Sequence, residues 1–205
     1  MRRTARESIL SALRKPPAVC RDPLPAYEPK VSDYQTLAHR FEQSLELGYG
    51  KLVLAGGELI AAIDSLPAVQ SSKRLCSSVP GVARQAIEPA ALTSPHAAAV
   101  VDVAVVHGEF GVAENGSVWV TDRQLRQRSL LFVVEHLVLV LDPLRIVATM
   151  QEAYRGLELS EERFGCFICG PSKTADIEQS LVVGAHGPRS LTVVGVEQPR
   201  HGAEG

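Results

Sequence analysis

The chain has 205 residues, 45% of them hydrophobic and 21% charged, with a formal net charge of −2. That length supports one proper core, and that composition excludes large-scale disorder. The near-neutral balance, with scattered basic residues, excludes the strong positive field that nucleic acid or an anionic membrane surface would require.

The opening MRRTARESILSALRK is broken by polar residues and lacks the continuous apolar stretch of a secretory signal. The longest apolar runs, such as residues 137–141, are strand-sized and too short to cross a bilayer. The chain is therefore expected in the cytoplasm.

Residues 4–15 read as an amphipathic helix that stops at Pro16-Pro17, and residues 16–31 as a proline-rich arm. A second helix follows, with Ser32 and Gln35 as a capping box and Tyr34, Leu37, Ala38, Phe41 and Leu45 on one face, ended by Gly48 and Gly50. Residues 51–55 read as a strand, 58–66 as a helix and 74–77 as a short strand. The alanine-rich stretch 90–99 is helical in composition, although Pro95 interrupts it. Strands are expected at 101–106, 117–120 and 136–141. Asp142-Pro143 looks like an N-cap and first helical position, continued at helical spacing by Ile146, Val147, Met150, Ala153, Tyr154 and Leu157. Residues 164–169 read as a strand, GPSKTADIE as the start of a helix, and 191–196 as the last strand.

Strands alternating with helices predict an α/β fold with a largely parallel sheet flanked by helices, and the near-continuous apolar strands fit a sheet buried on both faces. The expected organisation is an N-terminal helix and arm over 1–31, an α/β domain over 32–197 and a frayed tail over 198–205.

Three glycine-bearing stretches stand at strand ends: FGVAENGSVWV, FICGPSKTADIE and VVGAHGPRSLTVV. Glycine permits close backbone approach to a ligand, and open α/β sheets bind ligands beyond the carboxyl ends of their strands. In the second stretch, Gly170 leads into the expected helix, whose amino end, with Ser172, Lys173 and Thr174, would suit a phosphate or carboxylate. The same residues also read as an ordinary helix cap, with Asp176 and Glu178 complementing the dipole. The GxxxxGK[ST] spacing of a phosphate loop is absent. In the first stretch, Glu114 precedes the turn-forming pair Asn115-Gly116 and reads either as a positioned base or nucleophile or as a solvated hairpin residue. In the third, His186 lies beside Gly187 and is the histidine best suited to ligand contact or proton transfer.

His96, His107 and His136 have no metal-site spacing, so no metal is expected. The cysteines at 20, 76, 166 and 169 do not form a disulfide framework. Cys166 and Cys169 make a CxxC, but residues three apart on a strand face opposite ways, and both read as buried apolar residues.

Taken together, DVAVVHGEFGVAENGSVWV, SLLFVVEHLVLVL and CGPSKTADIEQSLVVGAHGPRSLTVV resemble the LUD domain family of lactate utilization C proteins, over roughly residues 95–196. Two positions depart from the family pattern: Asn115 stands where threonine is usual, and Val133 where proline is frequent. The resemblance implies a fold related to sugar-phosphate isomerases and CoA transferases. It also implies a part in oxidising L-lactate to pyruvate beside iron–sulfur partner proteins that carry the clusters, with no cofactor in this chain. Two alternatives remain open. One is a CoA transferase-like or sugar-phosphate isomerase-like enzyme with Glu114 as its reactive carboxylate. The other is a non-catalytic module that binds a small carboxylate or phosphate. Candidate site residues are Glu114 and His186 for catalysis, with Asn115, Gly116, Gly170, Ser172, Lys173, Thr174 and Gly187 for binding.

Overall fold

A computed structural model describes residues 4–13, 34–82, 86–123, 125, 127–157, 164–175 and 181–196. The chain divides into two units, 1–30 and 31–205. The first holds helix α1 (Ala5–Leu13). Its start is a reciprocal cap: the Thr4 amide donates to Glu7 Oε2 at 2.9 Å, and the Glu7 amide donates to Thr4 Oγ1 at 3.3 Å. The proline-rich arm, the expected Ser32 cap and the tail from 198 lie outside the described residues.

The second unit opens with α2 (Tyr34–Leu47), which buries Phe41 and Leu45 completely. It closes in a Schellman motif: the Gly50 amide donates to Leu45 O at 2.9 Å and the Tyr49 amide to Glu46 O at 2.8 Å. The left-handed position is taken by Tyr49 (φ 67°), between the two glycines expected to end the helix.

The centre is a five-stranded parallel sheet in the order β1-β11-β6-β3-β2. Its strands are β1 (Lys51–Leu54), β2 (Leu75–Ser77), β3 (Val103–His107), β6 (His136–Leu141) and β11 (Ser190–Gly195). Alternation along the strands sends side chains to two separate cores. Val103, Val105, Val138, Val140 and Val194 pack against Ile63 of α3 (Leu59–Asp64) and Val69 of α4 (Pro67–Ser71). Ala104, Leu137, Leu139, Leu191 and Val193 pack on the opposite face, with Phe41 and Leu45 of α2 and with α5 (Pro95–Ala98) and α6 (Leu130–Val133). Burial on both faces accounts for the unbroken apolar run of β6.

A second, four-stranded sheet lies outside the parallel one, in the order β7-β4-β5-β8. Its strands are β4 (Phe110–Val112), β5 (Ser117–Thr121), β7 (Ile146–Val147) and β8 (Gly165–Ile168). Two helical expectations are corrected by the neighbouring strands. Asp142 does act as a cap, accepting from the Leu144 amide at 2.9 Å, but only for a 3-10 turn over Pro143–Arg145. Ile146 and Val147 then pair with Gly111 and Val112, and the helix α7 is confined to Met150–Arg155. β-Branched residues facing an open strand gain more from ladder pairing than from continuing a helix.

At GPSKTADIE the expected helix start is replaced by β9 (Lys173–Ala175), which pairs antiparallel with β10 (Leu181–Val183). Residues 176–180, including Asp176 and Glu178, lie outside the described residues. Among those described, no helix is long and apolar enough to cross a membrane.

Phe41 keys α2 to both sheets, because its ring fills the space over Gly111. Phe41→Ala is expected to cost about 3–5 kcal/mol. Urea unfolding followed by fluorescence checks this value, and the unfolding midpoint should fall with an unchanged slope.

Candidate functional site

The β4–β5 turn carries Glu114, Asn115 and Gly116. Asn115 Oδ1 accepts from the Ser117 amide at 3.1 Å and from Ser117 Oγ at 2.7 Å, which fixes a local turn. Gly116 is left-handed (φ 67°), and a Cβ there would overlap the Leu45 backbone. Ser44 Oγ donates to Ala113 O at 2.8 Å from the α2 side.

The β8–β9 corner meets the same helix end. Gly170 (φ 76°) leaves no room for a Cβ against the Gly48 carbonyl. Lys173 Nζ donates to that carbonyl at 3.0 Å and lies 5.5 Å from the Tyr49 ring centroid. Cys169 Sγ donates to Asn115 O at 2.9 Å, joining this corner to the first turn.

Ser172 carries the connection to the third corner. Its amide donates to Pro188 O at 2.8 Å, its carbonyl accepts from the Gly184 amide at 2.8 Å, and its Oγ donates to His186 O at 3.1 Å. A Cβ on Gly187 would come within 2.9 Å of Phe132 O and 3.0 Å of Ser172 Cβ. Here lies a cavity of about 210 Å3, lined by Phe132, Cys169, Gly170, Ser172, His186 and Pro188 among others.

Seven of the nine sequence candidates thus form one contiguous set: Asn115, Gly116, Gly170, Ser172, Lys173, His186 and Gly187. Two stand apart from it. Glu114 is exposed, and its Oε2 accepts from the Met150 amide at 2.8 Å at the start of α7; it does not line the cavity. Thr174 is exposed on β9. The anion cradle expected at a helix start is absent at 170–175, because no helix begins there and the Ser172 amide is already bonded. What remains is an apolar pocket with a serine hydroxyl and an exposed histidine at its edge.

The described cysteines are free. Cys76 is fully buried, and burial together with the Glu88 charge pushes its thiol up to about 11. Burial also raises the half-buried Cys166. Cys169 is exposed, which corrects the expectation of a buried residue; its strand has ended, and the turn carries it towards Asn115. Among the described residues, no group of three or more His, Cys, Asp or Glu side chains is placed to hold a metal ion.

The carboxyl edge of the parallel sheet holds a further titratable residue, His107. His107 ends β3, half-buried, and its amide donates to Ser78 Oγ at 3.4 Å just beyond β2. Burial draws its pKa below the ordinary histidine range, while the negative charge of Glu109 pulls upward. The sequence signal was present in VVHGE, a histidine closing a strand before a glycine at the edge where such sheets bind ligands.

Residues 89–196 match the family model described as the LUD domain. The chain belongs to the LUD domain family. Lactate utilization protein C of Shouchella clausii is 33% identical over 105 residues, covering 49% of this chain and 46% of the relative. The protein of the same name from Geobacillus kaustophilus is 29% identical over 137 residues, covering 64% and 53%. Uncharacterized protein YkgG of Escherichia coli is 35% identical over 92 residues, covering 42% and 40%. The matched stretches therefore span about half the length of these relatives. A crystal structure of a DUF162 family protein from Deinococcus radiodurans superposes with a TM-score of 0.62, covering 81% of this chain and 99% of that one at 18% identity, and shares the fold.

All three glycine corners, and His107, fall inside the LUD segment. Asn115 fixes its own turn through its side-chain oxygen. The position of His107 leads to a pH effect on LUD-domain stability. Its folded pKa lies below the unfolded value of about 6.5, so the unfolded chain binds its proton first as pH falls. Stability from this group is complete above that value and declines as pH drops below it. His107→Gln is expected to flatten this decline between about pH 7.5 and 5.5, as read from urea midpoints across that range.

Proposed function

We propose that this LUD chain is a non-redox subunit of an L-lactate-oxidising system, acting in the cytoplasm beside iron–sulfur partner proteins. The observation carrying this reading is a cavity lined from the second and third glycine corners, with the first corner joined to it through the Cys169–Asn115 bond, all within the family segment. The names of the curated relatives supply the process. Oxidising lactate to pyruvate releases two electrons and two protons. The described thiols offer no cluster site, since Cys76 is buried at the parallel sheet while Cys166 and Cys169 lie on and beside β8. In this reading the clusters belong to the partner subunits, and this chain contributes binding and assembly. Ser172 Oγ and His186 are the polar groups that would orient a small carboxylate in the cavity.

Deleting the gene from a strain with a single lactate route tests this reading. Growth on lactate is expected to cease while growth on pyruvate continues, and tagged chain should co-purify with iron-containing protein. Undiminished growth on lactate refutes the role.

A second reading stands on Glu114. Its carboxylate is solvent-exposed on a tight turn and held through one oxygen, as a nucleophile towards an acyl thioester would be. Attack on the thioester carbonyl would form a glutamyl anhydride and release the thiolate. Incubation with acyl-CoA followed by hydroxylamine should then mark Glu114 by mass spectrometry, with the mark lost in Glu114→Gln. An unmodified protein at saturating acyl-CoA rules out this chemistry.

A further inference from the structure

A second cleft lies beside the aromatic cluster of the four-stranded sheet, lined from β4, β5 and α7. Two cavities of about 200 and 260 Å3 share Phe110, Arg145 and Gly156 and so adjoin as two halves of a groove. Each is smaller than the ~300–1,000 Å3 usual for drug-sized ligands, which suits a small molecule.

The two halves differ in chemistry. One half presents Arg123, Arg145 and Glu109 over Phe110 and Trp119. The other is walled by Leu144, Ile146 and Ala153. The aromatic side is rigid: Trp119 lies 6.4 Å from Phe110 and 4.6 Å from Phe167, ring centroid to centroid, and Tyr154 closes on Phe167 at 5.7 Å.

The carboxylates bordering the groove are already engaged. Glu109 Oε1 accepts from Thr121 Oγ1 at 3.3 Å, and Glu152 Oε2 accepts from the Ala148 amide at 2.8 Å. The Arg145 guanidinium approaches Glu109 only to 4.0 Å, beyond hydrogen-bond reach, and makes no hydrogen bond among the described residues. Its planar donor fork matches a carboxylate.

We propose that this groove binds an organic acid with a short hydrocarbon tail, its carboxylate on Arg145 beside Arg123 and its tail along Ile146 and Ala153. Neither arginine nor apolar wall suffices alone: the guanidinium selects the charge, and the wall selects a molecule with carbon to bury. The assignment is independent of the lactate reading and of the Ser172 cavity.

Trp119 is the chain's only tryptophan and lines the groove, so its emission reports binding directly. The full chain is titrated with hexanoate, with hexanol and inorganic phosphate as tail-only and head-only probes. A saturable change with hexanoate is expected, at a dissociation constant at least about tenfold below either control. Arg145→Gln should raise that constant about tenfold or more, Arg145→Lys should restore part of the loss, and Arg123→Gln should weaken binding with the fold intact by circular dichroism. Ser172→Ala should leave the affinity unchanged. Absence of a saturable signal, equal binding of hexanol or phosphate, or indifference to Arg145→Gln overturns the proposal, as does loss of affinity in Ser172→Ala.

Discussion

The carboxyl end of α2 is held in backbone contact with two glycine corners, and most of the LUD site follows from that contact. Gly116 lies against the Leu45 backbone and Gly170 against the Gly48 carbonyl, both at left-handed φ values that other residues rarely adopt. A side chain at either position would displace the helix end. With the helix seated, Ser44 bonds the first turn and Lys173 the second, and Cys169 then reaches Asn115. Ser172 follows in register and ties in the third corner through both its backbone groups and its hydroxyl. The site is therefore a consequence of close backbone packing, and its polar side chains are largely spent in holding it together.

The parallel sheet was legible because burial on both faces writes itself into the sequence as uninterrupted runs such as HLVLVL. Strand ends differed from expectation by one or two residues, as at β3, where 101–106 became Val103–His107. The second sheet was not legible. Ile146 and Val147 fit a helical spacing with Met150 and Ala153, and only the presence of β4 alongside makes them a strand. Likewise, GPSKTADIE has the composition of a helix start, but the bonds from Ser172 to Pro188 and Gly184 fix an extended corner that leads into β9. Both errors have one cause: local pattern was read where a partner distant in sequence decided the conformation.

The glycine corners themselves were legible as places of close approach, although not for the reason first given. The expectation was that glycine admits a ligand to the backbone; at Gly116 and Gly170 it admits α2 instead. Lys173 shows the same reversal. Its ammonium, expected to meet an anion, serves the Gly48 carbonyl at the helix end, where a cation complements the exposed carbonyls. For His107 metal-ligand spacing carries no information, whereas its position at a strand's carboxyl end does.

Charge and apolar surface are thus divided between two cavities that border the outer sheet. On the Ser172 side, Lys173 is committed to structure and the cavity is mainly apolar. On the Arg145 side, the carboxylates accept hydrogen bonds, while the guanidinium is held only by a 4.0 Å ion pair with Glu109. Phe167 is common to both: it lines the Ser172 cavity, and its ring packs 4.6 Å from Trp119, which lines the other. Gly165 makes this wall possible, since a Cβ at that position would overlap the Trp119 ring. Strand β8 therefore borders the Ser172 cavity and, through the Phe167 ring paired across the ladder with Trp119, supports the aromatic cluster at the other. Selectivity at either cavity then depends on the polar groups that line it, because the apolar lining of both is drawn in part from the same four-stranded sheet.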